Sequence, residues 1–291
     1  MKNIFKGTGV ALITPFKDTG EIDFESLSRL VKYCIEEGVD FLVTLGTTAE
    51  SATLSEREKE AVVRFIIKEN NAVLPVLMGI GGNNTKLVCS TLKSIPKGVD
   101  GVLCVTPYYN KPNQKGLFEH YKTINDAVDI PQILYNVPSR TNCDLENETI
   151  ISLSQLSNIV GIKDATGELE RIDFLKEKVK DNFIFISGDD LSFLEYMERG
   201  GCGVISVTAN VKPDLMHNIC NDMLNGDVEK SRTLNKKLSN LHQSMFVDSN
   251  PIPVKWLMTY LGLINKGIRL PLVELDSKHQ KNLIKIFEAI K

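Results

Sequence analysis

The sequence predicts an α/β fold, a (β/α)8 TIM barrel with a C-terminal helical extension. Three observations carry that prediction. Short β-branched apolar runs recur eight times, stretches of helical periodicity separate them, and polar residues collect at one end of the runs. Continuous apolar runs, unlike alternating ones, suit parallel strands covered on both faces. Eight strand–helix units close most economically into a barrel, with a doubly wound open sheet as the alternative.

In chain order the runs are "VALIT" (10–14), "DFLVTL" (40–45), "PVLMGI" (75–80), "GVLCVT" (101–106), "QILYNV" (132–137), "IVGIKD" (159–164), "FIFIS" (183–187) and "GVISVT" (203–208). Phe24, Leu27, Leu30, Val31, Cys34 and Ile35 share one helical face, and Asp23 is placed to cap it. Ser55 and Glu58 form a capping box ahead of Ala61, Val62, Phe65 and Ile66. After the eighth unit, helical patterns remain over 227–245, 252–264 and 277–290, separated by "NPIP" and "RLPL", where proline interrupts them. The expected organisation is a catalytic barrel over 1–226 and a helical extension over 227–291 packed on it.

Composition narrows the function classes. At 291 residues, 42% hydrophobic and 24% charged, the chain reads as an ordinary globular protein. A net charge of -3 gives no electrostatic footprint for nucleic acid or an anionic membrane surface. The six cysteines include no C-x-x-C pair and sit in apolar company, so they read as free thiols. No two of the four histidines stand three or four residues apart, and no metal site is expected. "MKNIFKGTGVALITPF" imitates a signal peptide but contains Gly7, Thr8 and Gly9, lacks a small-residue cleavage pattern and ends at Pro15. No run approaches the roughly 20 apolar residues of a membrane span, so a cytoplasmic location is expected.

Active sites of such barrels lie at the carboxyl ends of the strands. Those ends read "LGTTAES" (45–51), "GIGGNN" (79–84), "TPYYNKP" (106–112), "YNVPSRT" (135–141), "KDATGE" (163–168), "SGDD" (187–190) and "SVTAN" (206–210). This one-sidedness favours an enzyme. Lys163 ends a strand that looks buried. Its amine either snorkels to water or is partly dehydrated, which favours the neutral form that attacks a ketone to give a Schiff base. Tyr135, ending the preceding strand, is either a proton carrier beside that lysine or a packing aromatic with a wet hydroxyl. "GTTAES" binds a carboxylate through backbone N–H groups, with the Thr47 hydroxyl relaying protons, or is an ordinary strand-to-helix turn; no P-loop lysine follows it. Arg140 is a fork-shaped donor for a substrate carboxylate or one half of a surface ion pair. "GIGGNN" reads as close backbone packing.

The order of "GVALITPF", "GTTAES", "TPYYNKP", "LYNVPSRT", "GIKDAT", "FVDSNPIPVK" and "RLPLVEL" resembles the dihydrodipicolinate (4-hydroxy-tetrahydrodipicolinate) synthase family, within the pyruvate-dependent class I aldolases and lyases. The likeness spans nearly the whole chain. It implies that Lys163 captures pyruvate as a Schiff base, with no other cofactor, and that Tyr135, Thr47 and Tyr109 form a proton relay. Tyr109 would come from the neighbouring subunit of a homodimer or of a homotetramer built as a dimer of dimers. The amides of Thr47 and Thr48 would hold the pyruvate carboxylate, and Gly188 and Ile205 would line the pocket. Arg140 would meet the carboxylate of the second substrate, aspartate 4-semialdehyde.

Arg140 within "NVPSRT" favours the synthase over sugar-acid aldolases and N-acetylneuraminate lyases, since a short acidic aldehyde needs a cation near the imine. A non-catalytic keto-acid-binding barrel would have no need of the relay. Two departures stand out: Ala49 where many members have glycine, and the polar site where some members bind lysine. Ser51, Ala52, Asn83 and Tyr108 match that site, but Glu56 and Lys59 replace histidines and Leu87 replaces an acid. Little inhibition by L-lysine is therefore expected.

Overall fold

The computed structural model describes residues 4–290. Residues 1–3, the start of the stretch that imitates a signal peptide, and residue 291 lie outside the described part. Eight parallel strands close into a barrel: β1 (Gly7–Ala11), β2 (Phe41–Thr44), β3 (Val76–Gly81), β4 (Gly101–Val105), β5 (Gln132–Asn136), β6 (Ile159–Asp164), β7 (Ile184–Ser187) and β8 (Gly203–Ser206). Pairing of Gly7 with Gly203 joins the last strand to the first and excludes an open sheet.

Alternation along each strand sorts side chains between two cores. Phe5, Phe41, Val43, Leu77, Leu103, Ile133, Ile184, Ile186 and Ile205 fill the interior, while Val10, Leu42, Met78, Leu134 and Ile162 pack outward among the helices. Continuous apolar runs are thus the sequence image of strands with two dry faces. The Phe24–Glu36 helix is capped by Asp23, whose carboxylate accepts from the Ser26 N–H, and the expected Ser55–Glu58 capping box opens the Glu56–Asn70 helix.

The first strand begins three residues earlier than "VALIT" and ends at Ala11. The glycines that interrupt the apolar pattern are what the strand requires, because a Cβ on Gly9 would lie 2.2 Å from the Phe41 ring. Leu12 still donates its N–H to the Val43 carbonyl, but Leu12 and Ile13 leave for the outer core. In the C-terminal part, the Val228–Ser244 helix packs on the Pro213–Leu224 helix, and the Ile252–Tyr260 helix lies against the turn Thr208–Asn210 that follows β8. That Ile252–Tyr260 helix stops four residues short of the apolar pattern, at a turn through Gly262 in the left-handed region.

Candidate active site

Tyr135 pairs in register with Lys163 across β5 and β6, and Lys163 with Ile186 on β7. Inward alternation places both polar side chains at the top of the barrel interior. The Lys163 Nζ lies 4.3 Å from the Tyr135 ring centroid, and each residue is only 7% exposed. Among the described residues Lys163 has no carboxylate partner. The ammonium form is steadied only by the ring face, a cation–π contact worth about 0.5–2 kcal/mol.

The outward neighbours of this pair, Asn136 and Asp164, also pair in register. Asn136 donates to Asp144 Oδ1 at 2.7 Å, and the buried Arg171 guanidinium bonds both Asp144 oxygens at 2.9 and 3.1 Å. Asp164 accepts from the Thr166 N–H at 2.9 Å, with Arg171 Nε 3.9 Å from its other oxygen. Burial pushes the Asp164 carboxyl above its ordinary value, and these bonds oppose the rise. Two strand ends are therefore locked from behind while their inward side chains face open space.

That space is a cavity of about 210 Å³ lined by Thr47, Thr48, Tyr135, Arg140, Lys163, Gly188 and Ile205 among others. Gly188 leaves no free room for a side chain: a Cβ there would sit 2.8 Å from the Ala165 methyl and 2.9 Å from Lys163 Cε, so one of them would have to shift. Its N–H donates to the Asp164 carbonyl at 2.6 Å.

The threonines stand on a loop of unusual backbone. Leu45 and Glu50 both have left-handed φ, 55° and 52°, and bracket the short turn Thr47–Ala49. Such conformations cost roughly 1–3 kcal/mol each and persist where surroundings over-determine them. Gly79 on β3 is one such surrounding, since a Cβ there would strike the Leu45 carbonyl at 2.4 Å. "GIGGNN" is close backbone packing, as its composition suggests. The Ala49 and Glu50 amides bond within the loop, whereas those of Thr47 and Thr48 donate to no described residue. Two adjacent free N–H groups at a cavity wall suit a carboxylate.

Arg140 sits on the short Pro138–Thr141 helix, exposed at the cavity rim and without an ion pair among the described residues. Tyr109 is the expected site residue that the fold does not bring to the cavity of its own chain. It is 89% exposed, with φ 73°.

The sequence reading gives no role to several other lining residues, among them Ser139, Asp189, Phe246 and Asn250. Asn250 belongs to "NPIP", where the prolines draw the eye, yet its Nδ2 donates to the Thr48 hydroxyl at 2.9 Å. Carboxylates at the amino ends of the strands have a different task. Asp40 and Asp100 accept from the Thr8 and Val76 N–H groups at 2.7 and 2.8 Å, ending the ladders rather than building a site.

The model of the dihydrodipicolinate synthetase family matches residues 4–290. The chain belongs to that family. It is 47% identical over 281 residues to a 4-hydroxy-tetrahydrodipicolinate synthase of Alcanivorax borkumensis, with 96% of each chain covered. A solved chloride-inhibited dihydrodipicolinate synthase of Acinetobacter baumannii, complexed with pyruvate, superposes with a TM-score of 0.96 at 43% identity and 99% coverage of both chains. A dihydrodipicolinate synthase of Cyanidioschyzon merolae with lysine bound gives 0.95 at 34% identity, again with 99% of each covered. The family's reaction is that of a lyase of the aldolase type, the 4-hydroxy-tetrahydrodipicolinate synthase step of lysine and diaminopimelate biosynthesis.

Proposed function

We propose that Lys163 performs this reaction by capturing pyruvate as an imine and delivering it to L-aspartate 4-semialdehyde. The observation that carries the assignment is a nearly buried lysine without an acid partner, facing both a tyrosine and two free amides across one cavity. The neutral amine adds to the ketone carbon and water leaves. The iminium then draws the electrons of a methyl C–H bond into an enamine as the proton departs. The enamine carbon attacks the aldehyde, whose oxygen takes up a proton, and the amine of the second substrate displaces Lys163. An iminium is itself an electron sink, so the chemistry calls for no further cofactor.

Thr47 and Tyr135 are assigned to the proton transfers, the amides of Thr47 and Thr48 to the pyruvate carboxylate, and Gly188 and Ile205 to the pocket wall. Arg140, with its guanidinium unspent, is assigned to the semialdehyde carboxylate. That assignment sets the synthase above a sugar-acid aldolase, and comparing rates with the two aldehyde classes tests it. The mechanism is tested by borohydride reduction with pyruvate, then peptide mapping. One pyruvate should be fixed on Lys163, and trapping on another residue would refute the assignment.

Tyr109, 89% exposed beside the half-exposed Tyr108, supports self-association in which Tyr109 completes a partner's cavity. We assign a homodimer or a dimer of dimers, checked by activity on dilution, and a cytoplasmic location. The organisation we adopt is a barrel domain over 1–226 carrying the 227–291 extension.

For regulation by L-lysine the structure shifts the physical reason. Lys59 pairs with Glu56 at 2.7 Å, which offsets the repulsion expected from its charge. Leu87, 63% exposed on the Thr85–Leu92 helix, offers an ammonium group nothing to bond. Weak or absent inhibition is proposed, and strong inhibition at sub-millimolar lysine would overturn it.

A further inference from the structure

The loop that presents Thr47 and Thr48 is held from behind by the C-terminal extension. Glu50, between its two short turns, has a wholly buried side chain. One oxygen accepts from Lys255 Nζ at 2.5 Å and the other from the Arg269 N–H at 3.1 Å. Lys255, itself 3% exposed, also donates to the Thr14 carbonyl at 3.1 Å and lies 4.3 Å from the Phe16 ring centroid. Asn250, one turn earlier, holds the Thr48 hydroxyl. Arg269 ties down the far end of the loop through the Thr53 carbonyl at 2.9 Å.

These anchors reach the backbone where it matters for binding an anion. Glu50 donates its N–H to the Thr47 carbonyl and accepts at its own carbonyl from Thr53, so its left-handed conformation is the joint between the two turns. Swinging that joint would redirect the Thr47 and Thr48 amides while leaving the barrel intact. A buried ion pair contributes little net stability over an apolar pair of the same shape, but it fixes direction. Burial pulls the Lys255 ammonium down to about 8; the Glu50 charge opposes that fall, and Arg269 adds to it.

We propose that Glu50 and Lys255 are positioning residues for substrate capture, aiming the free Thr47 and Thr48 amides at the pyruvate carboxylate. The inference rests on the imine reading above, so its test uses wild-type trapping as the internal reference. If wild-type enzyme is not trapped on Lys163, the imine reading fails and this inference falls with it. If wild type is trapped, three variants decide the matter. Glu50→Gln and Lys255→Met each strand one buried charge, and the melting temperature should fall by roughly 5 °C or more. The Glu50→Gln/Lys255→Met double variant leaves no unpaired charge and should recover most of that fall. Positioning requires that the double variant still show a pyruvate KM raised about tenfold or more, with slower borohydride trapping on an intact Lys163. Recovery of both melting temperature and KM would reduce the pair to a structural contact and overturn the proposal. Should the double variant not fold, Glu50→Asp retracts the same charge by one methylene. It should raise KM for pyruvate more than it lowers kcat, and the reverse split would equally overturn the proposal.

Discussion

Two lysines are buried among the described residues, and they live in different electrostatic worlds. Lys163 at the barrel's carboxyl end and Lys255 in the extension are 7% and 3% exposed, and each ammonium lies 4.3 Å from an aromatic centroid. Lys255 has a carboxylate at 2.5 Å and a carbonyl at 3.1 Å, whereas Lys163 faces a cavity with no acid partner. Burial alone thus does not distinguish a nucleophile from a structural cation. The Lys255 amine is spent on the Glu50 carboxylate and the Thr14 carbonyl, whereas the Lys163 amine opens onto a cavity where a ketone can reach it.

The sharpest way to break this comparison is to make the same substitution at both sites. Lys163→Met should abolish pyruvate trapping and turnover yet cost less than about 1 kcal/mol of stability, because no partner is left stranded. Lys255→Met should strand the Glu50 carboxylate and cost about 3–5 kcal/mol. Urea denaturation of both variants measures this, and equal losses would show that Lys163 has a stabilising partner after all.

Gly188→Ala sharpens the catalytic side. The new methyl meets Lys163 Cε at 2.9 Å, so the lysine must shift by several tenths of an ångström. A displacement of that order costs about 10²-fold in rate, while overpacking costs roughly 1–3 kcal/mol. Rates from single-turnover trapping, set beside melting curves, separate the two. Wild-type trapping would mean that Lys163 absorbs the shift without losing its reach to the ketone.

Arg140→Ala should leave both trapping and stability near wild type, since the side chain is exposed and pairs with nothing described. Its effect should fall on use of the semialdehyde, by about 10-fold or more for a lost charge-assisted bond. Steady-state kinetics with each substrate varied in turn reads this directly. A raised KM for pyruvate alone would reassign the arginine.

How much of this was legible beforehand follows from what sequence patterns encode. Strand number, order and the polar rim are local: each run of β-branched residues carries its own signal, and each loop follows its strand. Lys163 and Tyr135 stand out in the sequence because alternation at a strand end fixes their direction, and Arg140 stands out as the lone cation of the segment that follows β5. The first strand was misplaced because Gly7 and Gly9 look like breakers, and only the Phe41 ring, from the next strand, explains them. Glu50 and Asn250 were missed because their roles depend on residues about 200 positions away. Lys255 did leave a trace: a lone cation within the apolar run 252–258 is as anomalous as Lys163 within 159–164. Asking for the partner of each buried charge would have paired the two ends of the chain.

The smallest effect lies at the outer edge of the clamp, where Arg269 meets Glu58. The guanidinium bonds both Glu58 oxygens, at 2.5 and 3.2 Å. Hydrogen bonding from Arg269, then from the Ser55 N–H, holds the Glu58 carboxyl down from 4.5 to about 2. A carboxyl depressed on folding adds stability that is complete above its unfolded value and disappears as pH falls through its folded one. The Glu58 contribution should therefore be intact above pH 4.5 and lost between pH 4.5 and about 2. Glu58 is 31% exposed at its side chain, so solvent screening keeps the gain to about 1–2 kcal/mol. Glu58→Gln removes the charge and one of the two acceptor oxygens, while its remaining carbonyl oxygen can still accept from the Ser55 N–H at the start of the Glu56–Asn70 helix. Urea midpoints for wild type and variant should differ at pH 7 and converge towards pH 2. A gap that stays constant across that range would assign the stabilisation to shape and hydrogen bonding, leaving the buried Glu50–Lys255 pair as the only ionic element of the clamp.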